Sequence, residues 1–168
     1  MLNKIDKLTE TEFTEVFGNI FENSNWIAVR LYKQKPFYNF NNLCEKIISI
    51  FEESDNQSKL EILNSHPDLA NKTKIGSLTP DSNKEQANAG LDQCTMEEFN
   101  EFKNLNLNYK NNFGFPFILA VKGKNKLEIL DNFKKRILCD KQIEFDEAIK
   151  QVKQIANFRL SELKSKFI

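Results

Sequence analysis

The 168-residue chain is poor in histidine, cysteine and glycine. Its single histidine is His66, which excludes a histidine-rich metal centre. Cys44, Cys94 and Cys139 are odd in number and lack C-x-x-C spacing, which argues against a disulfide framework and against a cysteine-based zinc site. No clustered carboxylate motif replaces them. We therefore expect three buried, reduced thiols and no metal site.

The five glycines form no G-x-G-x-x-G, P-loop or G-x-S-x-G motif, so the usual signatures of nucleotide binding and serine hydrolysis are missing. The formal net charge is zero, which argues against a nucleic-acid binder. The longest apolar run, residues 115–121, is far below the roughly 20 residues that span a bilayer. The N-terminus lacks the apolar stretch of a signal peptide. We expect a cytoplasmic protein that binds neither nucleic acid nor membrane.

Apolar residues recur at helical spacing through most of the chain, which predicts an all-α protein. We expect a single domain over residues 1–168 with seven to eight helices. The predicted helices run from Thr9 to Phe21, Trp26 to Tyr32, Phe40 to Phe51, around Leu60 and Leu63, Ser82 to Gly90, Thr95 to Phe113, Asn125 to about Cys139, and Glu144 to about Lys166.

Local signals support some of these boundaries and interrupt the pattern elsewhere. Thr9 with Glu12, and Thr95 with Glu98, have capping-box spacing. Residues 68–80 have no helical period and indicate a loop. Residues 115–123 are apolar and flanked by glycines, so they form either a buried strand or an extended connector.

His66 is the first candidate for chemistry. An imidazole has an ordinary pKa of about 6.5, so it can gain and lose a proton near neutrality. Pro67 holds the backbone after His66 in one geometry, at the predicted end of a helix. The alternative from local sequence is an ordinary capping or surface histidine.

Two further candidates are polar groups on helices. Ser82, Glu85 and Gln86 lie within about one turn at a helix start, where backbone amides suit an anionic ligand. Ser82 and Glu85 also fit a plain capping box, which leaves Gln86 unexplained. Arg159 lies at the edge of the apolar stripe of the last helix, so its guanidinium either extends to solvent or enters a pocket and binds a carboxylate or urea oxygen.

The segment Phe113-Gly-Phe-Pro-Phe-Ile118 is the fourth candidate, because glycine and proline prevent it from continuing the preceding helix. Core filling is the simplest interpretation. An extended backbone nevertheless has N–H and C=O groups that need partners, and a flat, amide-rich ligand could supply them.

Taken together, these blocks resemble the 2-oxo-4-hydroxy-4-carboxy-5-ureidoimidazoline (OHCU) decarboxylase family. The resemblance covers nearly the whole chain. The matching blocks, in order, are residues 17–26, Lys35-Pro-Phe37, His66-Pro-Asp-Leu-Ala70, Ser82-Asn-Lys-Glu-Gln-Ala87 with Ala89-Gly-Leu91, Phe113–Ile118, and Arg159.

The resemblance implies a cofactor-free, all-helical decarboxylase, usually a homodimer, that converts OHCU to (S)-allantoin in urate degradation. It implies that His66 is the catalytic histidine, oriented by Glu85, with Arg159 holding charged groups of the substrate. The substrate-binding positions it implies are Pro67, Ser82, Glu85, Gln86, Phe117, Ile118, Leu119, Ala120, Val121 and Arg159. Periodicity and neutral charge also fit a competing class, a non-catalytic helical module for protein–protein interaction.

Overall fold

A computed structural model describes residues 2–71 and 78–167, with side chains for residues 4–71 and 78–165. Within these residues the protein is all-helical and contains no strand, which confirms the predicted fold class. The helices are α1 Leu2–Ile5, α2 Glu10–Phe17, α3 Asn25–Tyr32, α4 Phe40–Glu52, α5 Asn56–Ser65, α6 Pro80–Asn88, α7 Met96–Phe113, α8 Lys126–Arg136 and α9 Lys141–Phe167, with a 3-10 turn at Leu91–Gln93. The predicted loop over residues 68–80 lies partly outside the described residues, at 72–77.

The chain divides into two compact units. The first comprises Met1–Ser65 and Lys153–Ile168, and the second comprises His66–Val152. In the first unit, phenylalanine rings from α2 and the following turn fill the core. Phe13 and Phe17 are 4.5 Å apart between ring centroids, and Phe21 stacks on Phe51 at 4.8 Å. These rings belong to the apolar stripes from which the helices are predicted, and their packing buries those stripes in the core.

The core of the second unit is an aromatic cluster around Tyr109 of α7. The ring centroids of Phe113, Phe117 and Phe133 lie 4.5, 5.3 and 5.7 Å from that of Tyr109. Phe117 also stacks on Phe133 of α8 at 3.8 Å. The cluster thus anchors the segment that follows Phe113 against α7 and α8.

The two predicted capping boxes are present. At the start of α2, the Thr9 amide donates to Glu12 Oε2 at 2.8 Å and the Glu12 amide donates to Thr9 Oγ1 at 3.3 Å. The hydrogen bond from the Thr9 amide lowers the pKa of the Glu12 carboxyl. Thr95 and Glu98 form the same arrangement at the start of α7. Gly114 ends α7 with φ 82°, in the left-handed region that glycine tolerates.

Several predicted boundaries are wrong because burial is not the same as helicity. α2 ends at Phe17, and the buried residues Ile20 and Phe21 lie beyond it in a bend. α9 begins at Lys141 rather than Glu144. Leu127, an apolar residue of α8, is 75% exposed. Residues 116–121 form an extended connector and not a strand.

The cysteines differ in exposure, which corrects the expectation of three buried thiols: Cys94 is buried, Cys44 is half-buried and Cys139 is exposed. Burial raises the pKa of the Cys44 thiol to about 11. Since the thiolate is the reactive form, we expect iodoacetamide at pH 8 to modify Cys139 much faster than Cys44 or Cys94 in the folded protein. Peptide mass spectrometry over time measures the three rates, and modification of Cys44 as fast as Cys139 would contradict this assignment.

No helix in the described part of the chain is long and apolar enough to cross a membrane.

Candidate active site

His66 lies directly after the last residue of α5, Ser65, as the sequence predicts. Pro67 follows it, and both residues are half-buried. The proline has no N–H to continue the helix and restricts the backbone of the residue before it. The fold therefore holds the imidazole at a bend.

The loop after His66 is fixed by the side chain of Gln86 in α6. Gln86 Oε1 accepts a hydrogen bond from the Ala70 amide at 3.0 Å, and Gln86 Nε2 donates to the Asp68 carbonyl at 3.2 Å. Ala70 has φ 55°, a left-handed conformation that is uncommon for alanine and needs support from its surroundings. The side-chain amide of Gln86 thus holds residues 66–70, which we call the histidine loop. A role of Gln86 in substrate binding stays a prediction.

Two residues of α7 hold the same loop. Asn106 is 6% exposed and donates from Nδ2 to the Leu69 carbonyl at 2.9 Å. Lys110 Nζ lies 2.6 Å from Asp68 Oδ1. Neither residue has a role predicted from the sequence. The available signal is an asparagine among the apolar positions of α7, because buried polar side chains generally have a specific partner.

α6 presents Ser82, Glu85 and Gln86 on one face, since their spacing of three and four residues is that of helix neighbours. Ser82 and Gln86 are buried and Glu85 is half-buried. Gln86 places this face against the loop that follows His66. The structure therefore brings the α6 candidates and the histidine loop into one neighbourhood of the second unit.

The start of α6 differs from the sequence prediction. The helix begins at Pro80, and Thr79 is the N-cap, whose Oγ1 accepts from the Ser82 amide at 3.3 Å. Proline suits the first helical position because its fixed φ is already helical and its missing N–H has no partner there. Ser82 and Glu85 are consequently not the capping box of this helix. Because the Ser82 amide donates to Thr79, it is not one of the free backbone amides expected at this helix start.

The extended segment from Phe117 to Val121 is buried, with each residue at most 5% exposed. The Ile118 carbonyl accepts from Arg136 Nη1 at 2.7 Å, and the Ala120 amide donates to Gln151 Oε1 at 2.9 Å. Side chains from α8 and α9 thus supply hydrogen bonds that a strand would receive from a sheet.

Arg136, which binds the Ile118 carbonyl, also belongs to a buried charged network. Arg136 donates from Nε to Glu144 Oε1 at 2.8 Å, and its guanidinium lies 4.5 Å from the centre of the Phe117 ring. Tyr109 donates its hydroxyl to the same Glu144 oxygen. Burial raises the pKa of the Tyr109 phenol, and the neighbouring Glu144 carboxylate adds to that shift. Sequence reasoning missed this network because it took Glu144 only as the start of a helix.

Arg159 belongs to the first unit and is buried, with 6% exposure, so the alternative of a solvent-exposed guanidinium is wrong. Its Nη1 donates to Glu22 Oε2 at 3.0 Å and to the Asn19 carbonyl at 2.9 Å. Glu22 is 1% exposed and was not identified from the sequence. It follows the end of α2, where helical spacing carries no information.

The predicted site residues are divided between the two units. The second unit contains His66, Pro67, Ser82, Glu85, Gln86 and Phe117–Val121, and the first contains Arg159. Within residues 2–71 and 78–167, no group of three His, Cys, Asp or Glu side chains could hold a metal ion.

Fold and site define an all-helical protein with a proline-fixed histidine loop and a braced backbone segment. Residues 6–161 match the model of the OHCU decarboxylase family. The chain belongs to that family. It is 38% identical over 162 residues to the uric acid degradation bifunctional protein of Bacillus sp. strain TB-90, covering 96% of this chain and 32% of that protein.

A second relative has a similar length, and a solved structure has the same fold. The OHCU decarboxylase of Halalkalicoccus jeotgali is 36% identical, over 96% of this chain and 89% of the relative. A crystal structure of (S)-allantoin synthase superposes with a TM-score of 0.76 at 28% identity, over 97% of this chain and 54% of that one. The chain thus spans about a third of the Bacillus protein and most of the Halalkalicoccus enzyme.

Proposed function

We propose that this protein decarboxylates OHCU to (S)-allantoin in urate degradation, without a cofactor. The observation that carries the proposal is the histidine loop of a family member held in one geometry by Gln86 and Asn106. An acid–base catalyst needs such a fixed position, whereas a non-catalytic interaction module has no use for it.

The chemistry needs no external electron sink. When the bond between the ring carbon and the carboxylate breaks, CO2 leaves, the electron pair moves into the neighbouring ring imine, and the imine nitrogen takes up a proton from the medium. The hydroxyl on the decarboxylated carbon then loses its proton, and the carbon that carries the ureido group gains one. Allantoin and CO2 are the products, and the face that receives the proton sets the configuration of allantoin.

We assign His66 to these proton transfers, with Glu85 orienting the imidazole. His66 takes the hydroxyl proton and helps deliver a proton to one face of the ring. Arg159 binds the carboxylate or ureido oxygens through charge-assisted hydrogen bonds. Ser82, Gln86 and the backbone of Phe117–Val121 contact the remaining polar groups, and the phenylalanines around residues 113–117 exclude water.

The same proposal includes the state of the protein in the cell. We propose a single-domain, cytoplasmic protein that forms a homodimer and binds OHCU as its small-molecule substrate. Sedimentation velocity of the purified chain at several concentrations measures the oligomeric state directly.

The test uses OHCU freshly generated by urate oxidation. With the protein added, we expect OHCU to disappear faster than its spontaneous decay, and the allantoin formed to show the circular dichroism of one enantiomer. Spontaneous decay gives a racemate, so the buffer blank and heat-denatured protein are the matched controls. Racemic allantoin at the uncatalysed rate would contradict the proposed function.

A further inference from the structure

The segment Phe117–Val121 is buried but is not part of a sheet. The hydrogen-bond partners of its backbone groups must therefore come from elsewhere in the protein. Buried N–H and C=O groups require hydrogen bonds. In this segment, two of them are met by the long side chains of Arg136 and Gln151, which come from α8 and α9. Their positions decide how the rest of the segment is oriented.

Planar trans peptides transmit that orientation to Leu119. The Ile118 carbonyl and the Leu119 amide share one trans peptide and point in opposite directions, as do the Leu119 carbonyl and the Ala120 amide. Because Ile118 O binds Arg136 and Ala120 N binds Gln151, the N–H and C=O of Leu119 point away from these two side chains. The segment thereby presents one donor and one acceptor from the same residue.

The side chains of Gln151 and Arg136 are themselves fixed by hydrogen bonds. Gln151 Nε2 donates to Glu147 Oε1 at 2.7 Å, which commits Gln151 Oε1 to the Ala120 amide. Arg136 is held by the carboxylate of Glu144, which is 1% exposed. A buried ion pair is often no more stabilising than apolar side chains of similar size. A contribution to stability is therefore a weak explanation for this arrangement. The orientation of the segment Phe117–Val121 explains it better.

We infer that Gln151 and Arg136 are positioning residues, which fix the Leu119 peptide groups as a donor–acceptor pair for the amide edge of the substrate. The inference rests on the proposed function, since ureido and ring amide groups offer the complementary acceptor and donor. Neither side chain needs to touch the substrate. Their effect is transmitted through the backbone of one segment.

Gln151→Met tests the inference because it keeps the length of the side chain and removes the acceptor for the Ala120 amide. We expect KM for OHCU to rise about tenfold, as for the loss of a neutral hydrogen bond, with a smaller change in kcat. Binding of (S)-allantoin, measured by calorimetry, should weaken by a similar factor. The exchanged pair Glu147→Gln/Gln151→Glu restores an acceptor next to a donor, and we expect it to recover most of the lost affinity.

Two controls separate positioning from stability. Gln154→Met makes the same substitution one turn further along α9 at an exposed position, and KM should stay unchanged. Ile129→Val removes one methylene from a fully buried position of α8, so it should lower Tm without raising KM.

Arg136→Met/Glu144→Gln removes the ion pair without leaving a buried charge, and we expect a folded protein with raised KM.

The outcomes distinguish this inference from the proposed function. Active wild-type protein with a raised KM in Gln151→Met and in the Arg136 and Glu144 double variant supports it. Active wild-type protein with a lowered Tm but unchanged KM in both variants overturns the inference and leaves the proposed function intact. A wild-type protein that does not act on OHCU overturns the proposed function and, with it, this role of the two side chains.

Discussion

His66→Asn is expected to lower kcat for OHCU about 10³-fold, within the range that a positioned acid–base group contributes. Asparagine keeps a polar side chain at the bend but cannot exchange a proton near neutrality. His66 is the only histidine of the chain, so no other imidazole can replace it. The measurement is the initial rate of OHCU loss, corrected for spontaneous decay, together with the enantiomeric composition of the allantoin formed.

The fold should survive this substitution, because the side chains of Gln86, Asn106 and Lys110 hold the loop that follows His66. Equal thermal unfolding curves for His66→Asn and wild type are the control for structural damage. Near-normal turnover to one enantiomer by a folded His66→Asn variant would contradict the assignment of this residue.

Arg159→Met is expected to destabilise the protein by about 3–5 kcal/mol, since it leaves a buried charge without its partner. That charge is the carboxylate of Glu22, 2% exposed in its side chain and 3.0 Å from Arg159 Nη1. Glu22→Gln combined with Arg159→Met removes both charges, and we expect it to recover much of the loss. Urea unfolding of the two single variants and the double variant gives the coupling between the two residues.

Activity separates two roles for Arg159. If the guanidinium binds substrate as proposed, the folded double variant stays impaired, with a raised KM for OHCU. If Arg159 serves only to neutralise Glu22, the double variant recovers activity along with stability. An Arg159→Met variant as stable as wild type would contradict the buried ion pair itself.

Local patterns were sufficient for most of the helices. The Thr9 and Thr95 capping boxes and the glycine at 114 act over three to five residues, so they can be recognised without the fold. The start of α6 was misplaced because two signals compete within a few residues. Thr79 before Pro80 and Ser82 before Glu85 both fit helix starts, and the proline decides for the first.

The supports of the candidate site could not be predicted in the same way. Asn106 and Leu69 are 37 residues apart, and Gln151 and Ala120 are 31 apart. No periodic pattern links such pairs, because their contact depends on how helices pack. The motif residues themselves were recognisable only because their types and order resemble a family, and their convergence on one substrate stays a prediction.

The NMR signal of the protein's single imidazole gives the most direct test of a catalytic role for His66. With uniformly ¹⁵N-labelled protein, the ring nitrogens of His66 give one set of resonances that needs no assignment by mutation. We predict that (S)-allantoin shifts these resonances saturably, with (R)-allantoin binding more weakly. Ring resonances that stay unchanged while calorimetry shows saturation by (S)-allantoin would contradict a catalytic role for His66.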